Sequence, residues 1–277
     1  MRRHRFAHSD TNTATAPSAT TLNAYQFGAA QVIVTDSAHG GLLSSDKYGR
    51  PAEAQYPWLV AQLSAATSRA VAVVTHMPAY DPHPVANSQF SDRWEAKMYV
   101  RLIQRYQQTH PDRHVIMVYG HSRGFAEQTL DPSGKPADAA HGGIPQLTIA
   151  DLGMPPYAPP EQGGFYNFAL LHVTGDGDFQ FSVEPVLASI GVTAPKPALA
   201  VGDTEQLTAA GTAVGGDNQP PLVMPIADPA SHVWSSSNSR VASVDGRTGM
   251  LTAHRPGAVV VSVTSGGITG SVSVTVS

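Results

Sequence analysis

Three compact apolar runs, separated by two stretches of helical periodicity, constrain the first part of this sequence most strongly. The runs are AQVIVTD at 30–36, AVAVVTH at 70–76 and HVIMVYGH at 114–121. The stretches between them, 53–66 and 92–108, repeat apolar residues at helical spacing. Short β-branched runs are typical of buried strands. The order strand, helix, strand, helix, strand therefore favours a layered α/β domain.

From about residue 140 the pattern predicts strands with no helix between them. IPQLTIAD at 144–151, GFYNFALLHVTGD at 164–176 and DFQFSVEPV at 178–186 all have the composition of strands. The Gly-Asp-Gly at 175–177 predicts a hairpin turn that joins the last two, because such residues accept the backbone angles of tight turns.

The last 90 residues have a different composition, dominated by Ser, Thr, Val, Gly and Ala. Short strand-like segments alternate there with turn signals such as DGRTG and SGG, a spacing typical of a small β-sandwich. The predicted organisation is a disordered polar tail at 1–22, an α/β domain at 23–187 and an all-β immunoglobulin-like sandwich at 188–277.

Composition excludes several classes of function. The formal net charge is −4 and no basic cluster is present, so we expect no nucleic-acid partner. The absence of cysteine excludes disulfides, thiolate metal sites and cysteine nucleophiles. No apolar run approaches the ~18 residues of a membrane-spanning helix, so no membrane insertion is expected. The polar N-terminus lacks the apolar region of a signal peptide.

The C-terminal segment resembles the bacterial immunoglobulin-like domain, group 2. The matching residues are Val201-Gly202-Asp203, Leu207, Trp234-Ser235-Ser236, Val241-Ala242, Val244-Asp245, Gly249, Leu251-Thr252-Ala253 and Gly257. Trp234 is expected to be the main aromatic residue of the core. Gly249 and Gly257 are expected in backbone conformations that a Cβ disfavours. The resemblance implies an extracellular or cell-surface spacer or adhesion module.

The preceding segment resembles the C-terminal half of the calcineurin-like metallophosphoesterase family. The similar stretches are AYQFGAAQVIVTDSAHGG, AQYPWLVAQLSAATSRAVAVVTHMPAYDP, VIMVYGHSRGF, GGIPQLTIADLG and GGFYNFALLHVTGDGDFQFSV. The resemblance implies a partial phosphoesterase α/β sandwich and metal-dependent hydrolysis of a phosphate-ester substrate. It also implies a pair of divalent metal ions of the Fe, Mn or Zn type, about 3.5–4 Å apart. By the same resemblance, His76 in THMP and His121 in GHSR match two histidines that bind the second metal.

The segment also departs from the family pattern. The family has a second histidine where this sequence has Arg123, and a guanidinium group cannot ligate a metal, although it can bind a phosphate. The earlier family motifs, Asp-x-His, Gly-Asp-x-x-Asp and Gly-Asn-His-Asp/Glu, do not occur upstream of residue 30. Asp81-Pro82-His83 fits the first motif but is out of order, so we interpret it as coincidence.

Three hypotheses follow. In the first, the chain is a truncated or mis-started product of an exported phosphoesterase with impaired or no activity. In the second, it is a pseudoenzyme or binding protein whose Arg123 binds an anion. In the third, it is an extracellular structural or adhesion protein in which the immunoglobulin-like module carries the function. If part of the α/β sandwich is missing, its sheet exposes an apolar face or edge, which favours oligomers.

Single residues also carry expectations. Asp36 and His39, in TDSAHGG, are expected to have loop or capping roles. Trp58 and Trp94 occur at helical spacing with aliphatic residues and are expected in the core.

Overall fold

The computed structural model describes residues 22–48, 54–82, 87–150, 154–159, 162–213, 222–225 and 232–277. The predicted tail, up to residue 21, and His83 lie outside the described residues. The described chain divides into two compact units. The first, here called the α/β unit, comprises the residues up to Ser122 with 126–149 and 171–180. The second, the β unit, comprises 123–125, 150–170 and 181–277.

Within the described residues, the α/β unit contains one six-stranded sheet and three helices. The strands are β1 (Asn23–Phe27), β2 (Ala30–Val34), β3 (Ala70–Thr75), β4 (His114–Tyr119), β5 (Ala126–Leu130) and β6 (Ile144–Thr148). The helices are α1 (Leu42–Tyr48), α2 (Gln55–Ala65) and α3 (Arg93–Thr109), with a short 3₁₀ turn at Ala139–His141. The strand order is β1-β2-β3-β4-β6-β5. The four inner strands are parallel, and β1 and β5 pair antiparallel at the two edges.

The three apolar runs form adjacent strands, as predicted. Ile33, Val73 and Met117 lie side by side in the register of β2, β3 and β4, and all three side chains are fully buried. They form one core cluster with residues of the helices, among them Leu59, Leu63, Tyr99, Val100 and Ile103. The two predicted helices are present as α2 and α3, so the alternating pattern identified the central part of this layer correctly.

Asp92 caps the N-terminus of helix α3, because its side chain accepts hydrogen bonds from the backbone N–H groups of Trp94 and Glu95. The expectation that Trp94 lies in the core is wrong, because its side chain is 63% exposed. The buried stripe of α3 runs through Ala96, Tyr99, Val100 and Ile103. Trp94 precedes that stripe by two positions, which places it on the opposite side of the helix. Trp58 of α2 is partly buried against the core.

A hairpin of β7 (Asn167–Val173) and β8 (Phe179–Pro185) follows the α/β sheet in the chain. The predicted turn joins the two strands: the N–H of Thr174 donates to the carbonyl of Asp178 at 3.0 Å, and that of Gly177 to Thr174 at 3.0 Å. Gly177 has a φ of +92°, so the turn uses a conformation that glycine adopts without strain.

In the part of the β unit that the structure describes, ten further strands follow. They are β9 (Ser189–Thr193), β10 (Ala198–Leu199), β11 (Thr204–Gln206), β12 (Thr208–Ala213), β13 (Leu222–Pro225), β14 (His232–Ser236), β15 (Ala242–Val244), β16 (Met250–Ala253), β17 (Gly257–Ser265) and β18 (Ile268–Val276). They form three sheets, in the orders β10-β18-β17-β14, β11-β16-β15 and β13-β12-β9. This is the predicted all-β architecture of short strands and tight turns.

Trp234 on β14 occupies the core of the β unit, as expected, and only 6% of it is exposed. Alternate valines of β17, namely Val259, Val261 and Val263, are buried in the same cluster. Gly249 has a φ of +73°, and a Cβ at this position would lie 2.8 Å from Cε2 of the Trp234 ring. The glycine is therefore needed twice, for its backbone conformation and for the close approach of the ring.

Candidate functional site

His76 and His121 follow the carboxyl ends of two neighbouring parallel strands. Thr75, the last residue of β3, is the register partner of Tyr119, the last residue of β4. The N–H of Gly120 donates to the carbonyl of His76 at 3.0 Å, which continues the ladder one step beyond both strands. The strands therefore deliver both histidines to the same edge of the sheet, where open α/β sheets bind ligands.

The two imidazole rings are in direct contact. Nδ1 of His121 lies 2.9 Å from Nε2 of His76, and the ring centroids are 4.7 Å apart with planes inclined at 73°. The sequence offered these two histidines as partners although they are 45 positions apart. The structure brings them together through the parallel pairing of β3 with β4.

A backbone carbonyl selects the tautomer of His121. Nε2 of His121 lies 2.9 Å from the carbonyl oxygen of Asn87, which can only accept a hydrogen bond. Nε2 therefore carries a proton, and in the neutral ring Nδ1 presents its lone pair towards His76. Metal-binding histidines are commonly oriented in this way, with the second ring nitrogen donating to a backbone carbonyl. Asn87 was not predicted as a site residue, because it acts through its backbone carbonyl, which the identity of its side chain does not reveal.

Backbone strain marks the same segments. Among the described residues, the non-glycine residues with positive φ are Asn87 at 63°, His121 at 66° and Arg123 at 50°. Such conformations cost roughly 1–3 kcal/mol each and tend to occur at functional sites. Asparagine tolerates this region better than most residues, which fits its presence at position 87.

Arg123 belongs to the β unit and stacks on an aromatic ring. Its guanidinium carbon lies 4.5 Å from the centroid of the Tyr157 ring, a cation–π geometry. This contact holds the guanidinium group over the ring. The hydrogen-bonding edge of a stacked guanidinium suits planar, bidentate binding of an oxyanion such as phosphate.

The loop between β2 and α1 contains the other two candidates. The carboxylate of Asp36 accepts a hydrogen bond from the N–H of Ala38 at 2.9 Å, an Asx-type turn that agrees with the expected loop role. The N–H of His39 donates to Oγ of Ser45 at 3.1 Å, so its backbone is tied to α1.

The residues at the histidine pair fit one metal ion better than two. Two ligand atoms about 2.1 Å from one ion are about 3.0 Å apart when they subtend about 90°, and the two ring nitrogens are 2.9 Å apart. The part of the chain that the structure describes contains no group of three or more His, Cys, Asp or Glu residues suited to a metal. A two-metal centre needs more ligands than a histidine pair provides, because both ions must be held and bridged. The described residues therefore do not fit the metal pair that the sequence resemblance implies.

Within the described residues, no helix has the length and apolar character needed to cross a bilayer.

The chain matches one family model and is similar to several solved structures. No curated protein matches the sequence. Among solved structures, the chain is similar to an intimin mutant of EHEC O157:H7, with 19% identity, coverage of 32% of this chain and 46% of that one, and a TM-score of 0.24. It is also similar to GAP50 of Plasmodium, with 15% identity, coverage of 74% and 53%, and a TM-score of 0.34. For the surface layer protein SbsC the identity is 13%, the coverage 55% and 30%, and the TM-score 0.26.

The chain thus spans less than half the length of the intimin structure, and the low TM-scores indicate nothing about function. A family match is more specific. Residues 186–276, about a third of the chain, match the model of the bacterial Ig-like domain (group 2). These residues contain the strands from β9 to β18, with Trp234 in their core. The C-terminal part of this chain, residues 186–276, therefore resembles the bacterial Ig-like domain of group 2, and it is called the Ig-like domain below.

Proposed function

We propose that the protein is an extracellular structural or binding protein whose Ig-like domain accompanies an α/β unit with a degenerate, phosphoesterase-like site. The observation that carries this proposal is the family match over 186–276, because such domains are typical of surface proteins. The domain has a closed apolar core around Trp234. That core gives a rigid module suited to support or adhesion.

The second part of the proposal concerns the histidine pair. His76 and His121 bind a single divalent ion of the Mn, Fe or Zn type, since their ring nitrogens are 2.9 Å apart and the Asn87 carbonyl fixes the tautomer of His121. Such an ion, when bound, would supply a Lewis acid with open positions for an oxygen ligand. Arg123, oriented by Tyr157, is proposed to bind an oxyanion.

Efficient hydrolysis of a phosphate ester is not expected of this arrangement. Hydrolysis by a metal pair depends on two ions that hold the nucleophile and the phosphate together. Asp36, the nearest acidic residue along the chain after β2, is engaged in a local turn. The proposed role of the α/β site is therefore binding, with the phosphoesterase resemblance reflecting its ancestry.

A chromogenic phosphate-ester assay tests the absence of catalysis. Purified chain is supplied with Mn²⁺ or Zn²⁺ and compared with the His121→Ala variant. We expect the two proteins to show the same background rate. Metal-dependent turnover that His121→Ala abolishes would show that the site is a working enzyme centre and would contradict the proposed role.

The surface assignment is tested on cells that produce the protein. An antibody raised against the purified chain is expected to label intact, unpermeabilised cells. Labelling that appears only after permeabilisation would overturn the extracellular part of the proposal.

A further inference from the structure

A buried hydroxyl group from the loop after β2 hydrogen-bonds to both chain neighbours of His76, to the backbone of one and the side chain of the other. Ser37 is fully buried, and its Oγ lies 2.6 Å from the backbone nitrogen and 3.1 Å from the carbonyl oxygen of Met77. Oγ1 of Thr75, also buried, lies 2.9 Å from the same Ser37 oxygen. Thr75 and Met77 are the two neighbours of His76 in the chain.

The hydrogen atoms in this cluster can be assigned. A serine hydroxyl donates once and accepts up to twice. Ser37 therefore donates to the carbonyl of Met77, accepts the Met77 N–H, and has one acceptor position left for Thr75. The single proton of Thr75 is shared between Ser37 Oγ at 2.9 Å and the carbonyl of Thr35 at 3.1 Å.

The Ser37 side chain thus makes the hydrogen bonds that the backbone of a neighbouring strand would make. The backbone pairing of β2 with β3 ends where the N–H of Thr35 donates to the carbonyl of Val74 at 2.9 Å. Beyond that point the serine side chain satisfies both backbone groups of Met77, as a continuing strand would. The ladder is extended past His76 although β2 has already ended at Val34.

The consequence is an exposed histidine on a fixed backbone. On the other side, the carbonyl of His76 accepts the N–H of Gly120 at 3.0 Å. His76 itself is exposed, so its ring gains little orientation from core packing. The backbone bonds made by its neighbours fix the place from which its side chain leaves the strand end. A site that is pre-organised in this way binds its ligand more tightly, because less freedom is lost on binding.

We propose that Ser37 is a positioning residue that holds His76 at the spacing needed to bind a divalent metal ion together with His121. This inference rests on the metal site proposed above and adds to it a supporting residue outside the ligand set. The motif TDSAHGG contributes to the site through Ser37, between Asp36 and His39. Partners that orient metal ligands typically affect metal affinity 10- to 100-fold when they are removed.

Titration of the full chain with Zn²⁺ by calorimetry tests the inference. Ser37→Ala is expected to weaken Zn²⁺ binding roughly 10-fold or more. Ser45→Ala is the matched control, because Ser45 is equally buried and accepts a hydrogen bond from His39, away from Met77. Its Zn²⁺ affinity is expected to equal that of the unmodified chain. Circular dichroism of each variant establishes that the chain is folded.

A second variant, Thr75→Val, carries the test if Ser37→Ala does not fold. It removes only the hydroxyl that reaches Ser37 and is expected to weaken Zn²⁺ binding less than Ser37→Ala but measurably. Unchanged affinity in a folded Ser37→Ala, with binding lost in His76→Ala, would overturn the positioning role and leave the metal site intact. Binding that His76→Ala does not reduce would overturn the metal site itself, and the positioning role with it.

Discussion

The α/β unit and the Ig-like domain differ in where they bury polar side chains. In the Ig-like domain the described core consists of Trp234 and aliphatic residues, with few buried polar groups around it. In the α/β unit, buried hydroxyl groups gather at the carboxyl ends of the parallel strands. They belong to Thr35 and Ser37 after β2, Thr75 on β3, Ser122 after β4 and Thr148 on β6.

In the Ig-like domain buried side chains mainly stabilise the fold, whereas in the α/β unit some buried polar side chains position the residues of the candidate site. A buried polar group costs free energy unless its hydrogen bonds are satisfied, so polar groups concentrated at one edge need a local reason. In the α/β unit that edge also holds the histidine pair and the positive-φ residues His121 and Asn87. In the Ig-like domain the buried polar residues, among them Glu205, His232 and Ser265, are fewer, and most of the buried surface belongs to the apolar core. Substitutions in the Ig-like core should therefore mainly lower stability, whereas substitutions at the strand-end edge of the α/β unit should mainly change metal binding.

The largest expected effect on stability comes from Trp234→Ala. Removal of a large buried aromatic residue costs about 3–5 kcal/mol. Hydrogen exchange measured by mass spectrometry should show faster exchange throughout peptides of 186–277, with peptides of the α/β unit unchanged. Val233→Ala is the control, since Val233 is on the same strand but 62% exposed. Its expected cost is below about 1 kcal/mol. Equal effects of the two variants would contradict the assignment of Trp234 to the core.

Gly249→Ala sharpens the same comparison at one backbone position. The positive φ costs an alanine about 1–2 kcal/mol, and the new Cβ would also press on the Trp234 ring. Gly246→Ala is the control, because it lies in the same turn region and a Cβ there meets its nearest neighbour at 3.6 Å. Urea unfolding should show a clearly lower midpoint for Gly249→Ala than for Gly246→Ala. Matching midpoints would mean that the ring does not need the glycine.

A smaller, pH-dependent effect is expected in the α/β unit at Glu95. Burial raises the pKa of the Glu95 carboxyl above its ordinary value, although hydrogen bonds from the N–H of Leu43 and the hydroxyl of Tyr56 oppose the rise. A folded-state pKa above the unfolded value of about 4.3 favours folding below that pH. This contribution is lost as the pH rises through the folded-state pKa.

The Glu95→Gln variant isolates this contribution. The unfolding free energy of the unmodified chain relative to Glu95→Gln should fall as the pH is raised from about 4.3 towards neutrality. Urea unfolding at a series of pH values measures the difference. Glu127→Gln, at an exposed position on β5, is the control. If this difference instead grows with rising pH, the fold stabilises the Glu95 carboxylate, which would contradict a raised pKa.

The fold could be predicted from sequence wherever periodicity and burial agree. The apolar runs of β3 and β4 are buried along most of their length, and that of β2 is buried or half-buried, so β-branched composition alone identified them. The edge strands β1 (NAYQF) and β5 (AEQTL) were missed, because edge strands are half-exposed and carry polar residues. Trp94 was misplaced because its helical spacing with other apolar residues did not identify which side of α3 faces the sheet.

The candidate site was only partly predictable for a related reason. His76 and His121 were identified through the family resemblance, and the position of each after a buried strand agrees with it. Ser37 and Asn87 act through hydrogen bonds to backbone groups, and such bonds depend on the folded positions of Met77 and His121. A sequence pattern shows which side chains can bind a ligand, but it does not show which backbone group a loop residue will hydrogen-bond.

The metal stoichiometry of the purified chain tests the central claim most directly. Equilibrium dialysis against Zn²⁺, followed by elemental analysis, should give one ion per chain. His121→Ala should lose that ion, while His141→Ala, a change at an exposed histidine elsewhere in the same unit, should keep it. Two ions per chain, or one ion that survives His121→Ala, would contradict the account of a single-metal site at His76 and His121.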